Sequence, residues 1–188
     1  MLVLASASPR RQELLRNAGI AFISHPVDIP EVPQPGEEAR AFAERLAREK
    51  AAAVGEPLLG NVVLGADTVV VVERQILGKP QDANDAGRML RLLGGRSHRV
   101  ITAVCLQGPG FPPDVRSQAT LVTMDPLTES EIRSYVATGE PMDKAGAYAI
   151  QGIASRWISR IEGDYPNVVG LPVSLVWQML REHHYELG

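Results

Sequence analysis

Asp67 is the residue least like its neighbours. It stands in the middle of the β-branched run Val62-Val63-Leu64-Gly65-Ala66-Asp67-Thr68-Val69-Val70-Val71-Val72. A carboxylate buried there without partners costs several kcal/mol or is forced neutral. Such a residue is either a site or a carboxylate that caps a loop or pairs with a structural arginine. Gly65 lies two residues away, on the same face of a regular strand, and is expected to leave room for a ligand beside Asp67. Thr68 points to the opposite face unless a bulge or the strand end re-aims it. Lys50 falls on or beside the apolar stripe of a helix, four residues after Leu46 and eight after Phe42. Its ordinary fate is to snorkel, with the stem packed and the ammonium in water. Lys79 sits between Gly78 and Pro80, so it is biased to extended backbone. Glu31 stands in a proline-rich loop, where a carboxylate is usually just solvated.

The second constellation is Ser6-Ala7-Ser8-Pro9-Arg10-Arg11, a strand-to-helix turn. A helix N-terminus offers N–H groups and a positive dipole end to an anion. Arg10 and Arg11 in that first turn oppose the dipole, so an anionic partner is needed to compensate. Arginine suits phosphate through its planar donor fork. The alternative is two solvated arginines on an exposed turn. A third candidate is the small-residue stretch Asp143-Lys144-Ala145-Gly146-Ala147-Tyr148-Ala149-Ile150-Gln151-Gly152, long enough to be a functional loop. Gln151 carries both a donor and an acceptor, which suits reading the edge of a base.

The elements that must position these residues follow from pattern. Residues 2–5 read as a buried strand running into Ser8 as N-cap and Pro9 at the first helical position. Gly19 stops that helix. Residues 21–25 read as a strand, 26–36 as a loop, and 37–54 as the clearest helix. Residues 62–72 are the strongest strand. Residues 82–93 form a helix closed by Gly94-Gly95. Residues 100–106 and 115–124 read as a strand pair joined by the Gly/Pro-rich loop 108–114. Thr128 and Glu131 form a capping box. Residues 157–161 read as a strand and 172–183 as a terminal helix. The interleaving gives a mixed α/β sheet flanked by helices, curved or split into two lobes.

Composition narrows the classes. The chain has 188 residues, 45% of them apolar, enough for a core without disulfides or a structural metal. Nineteen basic against 22 acidic residues give a net charge of −3, which argues against a broad nucleic-acid surface. Cys105 is the only cysteine and reads as a buried structural thiol. His25, His98, His183 and His184 have no metal-ligand spacing, and His183 and His184 read as surface residues. No apolar run approaches a membrane span, and the start lacks a signal-peptide pattern. The cytoplasm is the expected location. Walker, Gly-x-Gly-x-x-Gly and Gly-x-Ser-x-Gly patterns are missing, so P-loop, dinucleotide and acyl-transfer chemistry lack support.

Taken in order, these segments resemble the Maf family of nucleotide pyrophosphatases. The residues that carry the resemblance are Leu4-Ala5-Ser6-Ala7-Ser8-Pro9-Arg10-Arg11, Leu46-Ala47-Arg48-Glu49-Lys50-Ala51, Gly65-Ala66-Asp67-Thr68-Val69 and Gly78-Lys79-Pro80. Later come Ser97-His98-Arg99-Val100-Ile101-Thr102-Ala103, the 143–152 stretch and Val169-Gly170-Leu171-Pro172. Ala7 departs from a position where glycine is common. The resemblance covers nearly the whole chain and implies one Maf-like domain over residues 1–188. It implies a fold similar to that of the inosine triphosphate pyrophosphatases, with two lobes around a cleft, a homodimer, and cleavage between the α- and β-phosphates with Mg²⁺ or Mn²⁺.

It further implies Asp67 as proton acceptor, Glu31, Lys50 and Lys79 in the catalytic centre, and Arg10, Thr68 and Gln151 in substrate choice. Ser6, Ser8, Arg11, Asp143 and Lys144 are then substrate contacts, and Asp67 and Glu31 the metal ligands. Ala66-Asp67-Thr68 together with the 143–148 stretch resembles the dTTP/UTP branch rather than the branch preferring 7-methyl-GTP. Two lysines and a metal are expected to lower the Asp67 pKa and make it a poor bulk base. Alternatives are a pyrophosphatase for modified pyrimidine triphosphates and a non-catalytic nucleotide sensor in cell-division control. The acidic charge balance disfavours nucleic acid as partner, and nothing points to a membrane.

Overall fold

Alternating and β-branched segments form seven strands in the computed structural model, which describes residues 1–54 and 60–185. They are β1 (Leu2–Leu4), β2 (Phe22–Ser24), β3 (Val62–Val72), β4 (Gln75–Leu77), β5 (Ser97–Gly108), β6 (Phe111–Met124) and β7 (Ile158–Glu162). The sheet order is β2-β1-β3-β5-β6-β7, with β4 paired to β3. The helices are α1 (Pro9–Asn17), α2 (Ala39–Ala52), α3 (Ala83–Leu93), α4 (Glu129–Ala137), α5 (Tyr165–Val169) and α6 (Val173–Glu182). The result is a mixed α/β fold with a seven-stranded sheet and flanking helices. The chain forms two compact units. The first comprises Met1–Thr68, Thr102–Gln118 and Gly170–Gly188, and the second Val69–Ile101 and Ala119–Val169.

In the first unit β1 pairs in parallel with β2 and with β3, Leu2 lying opposite Phe22 and Val62. Parallel neighbours need crossovers, and α1 and α2 supply them. One face of this sheet is apolar. Leu4, Leu64 and Ala66 pack there with Leu15, Ile20, Leu171 and the buried stripe Val176, Met179 and Leu180 of α6. The opposite face of β3 receives α2, which buries Phe42, Ala43, Leu46, Ala47, Lys50 and Ala51.

Gly65 corrects one expectation. A Cβ placed there would overlap the Ala47 carbonyl oxygen and come within 2.7 Å of the Ala51 nitrogen. The space beside Gly65 is therefore filled by the α2 backbone rather than held for a ligand. Only glycine lets the helix lie this close to the strand.

In the second unit β3 turns into β4 through Glu73 and Arg74, both at positive φ (47° and 70°). Two-residue turns of that kind favour Asn and Gly. Neither is present, and the strand went unexpected. β6 pairs antiparallel with β7, with a register shift between Thr123 and Met124. Thr128 and Glu131 close the expected capping box on α4. The bidentate pair of Arg91 with Glu129, at 2.7 and 2.8 Å, links α3 to the start of α4.

β5 and β6 run longer than their patterns suggest, because Pro112 and Pro113 continue the strand rather than break it. Proline supplies a φ compatible with extended structure and lacks only the N–H. Residues 143–152 are not an open loop. They contain the 3₁₀ turn Ala145–Ala147, preceded by Glu140–Asp143 and followed by Ile153–Trp157. Cys105 is a buried free thiol. His183 is half-buried rather than a simple surface residue: it stacks on Phe111 at 3.9 Å and meets Asp114 at 3.0 Å.

Candidate active site

The close packing of α2 on Gly65 delivers Lys50 to Asp67, two residues further along the same strand face. Lys50 does not snorkel; it is 7% exposed and Asp67 is 5% exposed. The Lys50 ammonium donates to Asp67 Oδ1 at 2.6 Å and to Glu31 Oε1 at 2.7 Å. Glu31 comes from the proline-rich loop and remains partly in water. One buried cation thus holds two carboxylates.

The protein's own groups shift the Asp67 pKa in the direction opposite to the one expected with a metal. Burial pushes this carboxyl above its ordinary value, and the charge and hydrogen bond of Lys50, with the charge of Arg11, offset only part of that rise. Glu31 adds to it by like-charge repulsion. The desolvation of a strand-buried carboxylate outweighs one cation on one of its oxygens.

The turn after β1 forms the neighbouring group. Ser8 caps α1, its hydroxyl accepting from the Arg11 N–H at 3.5 Å, and Pro9 fills the first position. Ser6, 7% exposed, accepts from the Ser8 N–H at 3.2 Å. Arg11 spreads its fork over three segments. Nε donates to the Gly170 carbonyl at 2.8 Å, Nη1 to Ser6 Oγ at 3.2 Å and Nη2 to Thr68 Oγ1 at 3.1 Å. Thr68 Oγ1 also lies 2.9 Å from Thr102 Oγ1. Three of the five guanidinium N–H donors are therefore engaged by protein oxygens. Burial lowers the Arg11 pKa, against the opposing pull of Asp67 and Glu31, and Arg10 lowers it further. The guanidinium stays charged regardless. Electrostatically, the Ser6–Arg11–Thr68 group and the Lys50 cluster are one neighbourhood. Arg10 is half-buried at the head of α1.

The remaining expected residues belong to the second unit. Lys79 is exposed. The carbonyl of Gly78 before it accepts from the Gly146 N–H at 3.0 Å, which ties this segment to the Ala145–Ala147 turn. Lys144 donates to the Glu140 carbonyl at 2.7 Å and pairs with Asp143. Gln151 is exposed, while Ile150 beside it is buried.

Several residues that organise these groups carried no expectation. Thr102 is fully buried behind Thr68, and Gly170 supplies the carbonyl for Arg11. Both lie in segments that carry the family resemblance, but nothing in their types marks a role. Tyr135 and Glu140 hold the Gln151 turn, and His98 pairs with Tyr148 at 2.8 Å.

Two carboxylates converging on one ammonium are a donor set that fits a hard divalent cation. Mg²⁺ is commonly held by one or two carboxylates, with water and substrate phosphates completing its sphere. Among the described residues no group of three His, Cys, Asp or Glu converges, so an all-protein cage is not formed there. Among those residues, too, no helix is long and apolar enough to cross a membrane.

Comparison with known proteins bears on the family and the fold. The family model described as Maf-like protein matches residues 1–183. The dTTP/UTP pyrophosphatase of Koribacter versatilis is 52% identical over 180 residues, covering 96% of this chain and 93% of that protein. That of Geobacter sulfurreducens is 52% identical over 183 residues, covering 96% and 95%. Among solved structures, the Staphylococcus aureus Ham1 protein superposes with a TM-score of 0.56 at 13% identity, covering 97% of this chain and 98% of that one. At that identity the likeness concerns the fold. With the family model matching residues 1–183 and two relatives 52% identical over 96% of the chain, the chain belongs to the Maf family.

Proposed function

We propose that this chain is a nucleoside triphosphate pyrophosphatase that hydrolyses dTTP and UTP to the monophosphate and pyrophosphate. The observation that carries the hydrolytic part is the Glu31–Lys50–Asp67 cluster, whose Lys50 and Asp67 are buried. The pyrimidine preference rests on the two relatives named dTTP/UTP pyrophosphatase, each 52% identical to this chain.

Water attacks the α-phosphorus, its proton passes to the Asp67 carboxylate, and pyrophosphate leaves. Lys50 holds Asp67 Oδ1, so Oδ2 is the oxygen assigned to the proton. Burial favours the proton on Asp67, and a cation bound to it would oppose that. Arg10, Lys50 and Lys79 offset the triphosphate charge, and each charge-assisted contact contributes roughly 1.5–3 kcal/mol. Ser6, Ser8 and the remaining donors of Arg11 receive phosphate oxygens at the head of α1. Thr68 and Gln151, with Asp143 and Lys144, select the nucleoside. Positioning and charge stabilisation supply most of the rate, as in other phosphoryl transfers. Mg²⁺ or Mn²⁺, held by Asp67 and Glu31 when bound, neutralises phosphate charge.

The family resemblance supports a homodimer and one functional domain over residues 1–188, and the cytoplasm is the location we assign. Free nucleotide is the substrate; neither nucleic acid nor membrane is a partner.

The test is pyrophosphate release from a panel of dTTP, UTP, 5-methyl-UTP, pseudouridine triphosphate, GTP and ATP with each metal. Highest kcat/KM for dTTP and UTP supports the reading. A large preference for the modified nucleotides narrows it to pool cleansing. Tight binding with no pyrophosphate from any of them makes the chain a sensor and overturns it.

A further inference from the structure

Gln151 sits on a turn that the rest of the second unit holds with unusual economy. The Gly152 N–H donates to the Ala149 carbonyl at 3.1 Å, closing a four-residue turn over Ala149, Ile150, Gln151 and Gly152. Ile150 anchors its inner side and Gln151 faces out. The N–H groups just outside the central pair end on two side chains from earlier in the chain. The Ala149 N–H donates to the Tyr135 hydroxyl at 3.1 Å. The Ile153 N–H donates to Glu140 Oε1 at 3.0 Å and is shared with Oε2 at 3.3 Å. Tyr135 donates to that same Oε1 at 2.8 Å, which closes the bracket.

Both members of the bracket are themselves fixed. Tyr135 is 1% exposed and meets Trp157 edge-on at 5.3 Å. Glu140 follows Gly139, which takes φ +77° at the end of α4. A Cβ at Gly152 would overlap the Glu140 carboxylate, so the turn is seated directly on it. Among the described residues this carboxylate takes its hydrogen bonds from a phenol and a backbone N–H, not from a basic side chain. Such a contact adds direction rather than charge neutralisation.

We propose that Tyr135 and Glu140 are positioning residues for substrate choice. They lock the Ala149–Gly152 turn so that the Gln151 amide meets the base in one orientation. The role rests on the reading of Gln151 as a base-contacting residue. A pyrimidine such as uracil offers a carbonyl acceptor and an imino donor side by side, and a glutamine amide matches both only when its orientation is held. Misplacing a positioned group by about 1 Å costs on the order of a hundredfold.

The full chain is tested as wild type, Glu140→Ala, Glu140→Gln, Tyr135→Phe, Gln151→Ala and the double variant Glu140→Ala/Gln151→Ala. Each is assayed for kcat and KM with UTP and CTP, because cytosine presents the reverse order, an amino donor beside a ring-nitrogen acceptor. Glu140→Ala is expected to raise KM for UTP and lower the UTP-over-CTP preference about ten- to a hundredfold, with a much smaller change in kcat. Glu140→Gln restores the preference, because an amide oxygen at the Oε1 position still accepts from both Tyr135 and Ile153. In the Gln151→Ala background the Glu140→Ala change adds nothing beyond about twofold. Tyr135→Phe keeps the packed ring and lowers the preference less, which carries the test if Glu140→Ala fails to fold.

A wild-type preference in both Glu140→Ala and Tyr135→Phe, alongside a lost preference in Gln151→Ala, overturns the positioning role alone. So does an equal fall of kcat for both nucleotides. An unchanged preference in Gln151→Ala overturns the reading of Gln151, and the positioning role with it.

Discussion

The Lys50 cluster of the first unit and the Gln151 turn of the second solve different problems. The first buries charge and therefore needs a counter-charge: Lys50 stands between Asp67 and Glu31 at 2.6 and 2.7 Å. The second holds neutral backbone, and its four residues are oriented by hydrogen bonds from Ala149 and Ile153. Losing one partner in the first leaves an uncompensated buried ion, whereas losing one in the second leaves a looser turn. Chemistry is thus expected to fail abruptly in one region and selectivity to erode gradually in the other.

The largest effect is expected at Asp67. Asp67→Asn keeps the shape and removes the proton acceptor, so kcat should fall by about 10²–10⁴ with an unchanged circular dichroism spectrum. A kcat near wild type would move the base elsewhere and collapse the contrast. Lys50→Met should come next. It leaves two carboxylates without their shared cation, and denaturant unfolding should show a loss of about 3 kcal/mol. A smaller loss in Lys50→Met/Asp67→Asn than in Lys50→Met alone would assign the cost to the orphaned charge.

How far this contrast was legible in the sequence depends on the kind of anomaly each region presents. An aspartate inside a valine-rich strand conflicts with its surroundings, so Asp67 is visible at once, and Lys50 on an apolar stripe follows. Tyr135 and Glu140 conflict with nothing. A tyrosine in α4 and a glutamate beside a glycine are ordinary, and their partners Ala149 and Ile153 are 14 and 13 residues away. Gly65 shows the opposite failure. Its position was visible, but helix packing and ligand space ask for the same missing side chain, and only the contact with Ala47 and Ala51 decides. The strand boundaries around Pro112 and Pro113 are not legible in the sequence, because a proline that continues a strand looks like one that ends it. The direction of the Asp67 pKa depends on a balance of burial against partner charge that a sequence does not display.

A pH-dependent effect of similar size is expected at a buried histidine of the second unit. His98, 2% exposed and bonded to Tyr148, is pushed down to about 4 by burial alone. Among the described residues its Nδ1 has no hydrogen-bond partner. The folded state thus prefers the neutral ring, while the unfolded chain takes a proton near 6.5. Stability is full above about pH 6.5 and falls as pH drops toward 4, by about 3 kcal/mol in all. Unfolding curves at pH 4.5 and 7 should show this loss, and His98→Asn should remove most of it. Arg11→Lys should have the smallest effect on stability, about 1–2 kcal/mol, because the charge remains but the three-way fork to Gly170, Ser6 and Thr68 is lost. An unchanged melting temperature would show that the fork does not brace the turn.

The most direct test of the whole account is the product of a single reaction. Purified protein is incubated with dTTP and Mg²⁺, and the products are separated and quantified. Equal amounts of dTMP and pyrophosphate are predicted, with turnover lost in Asp67→Asn. Orthophosphate with dTDP would place the cleavage at the wrong bond and contradict the account.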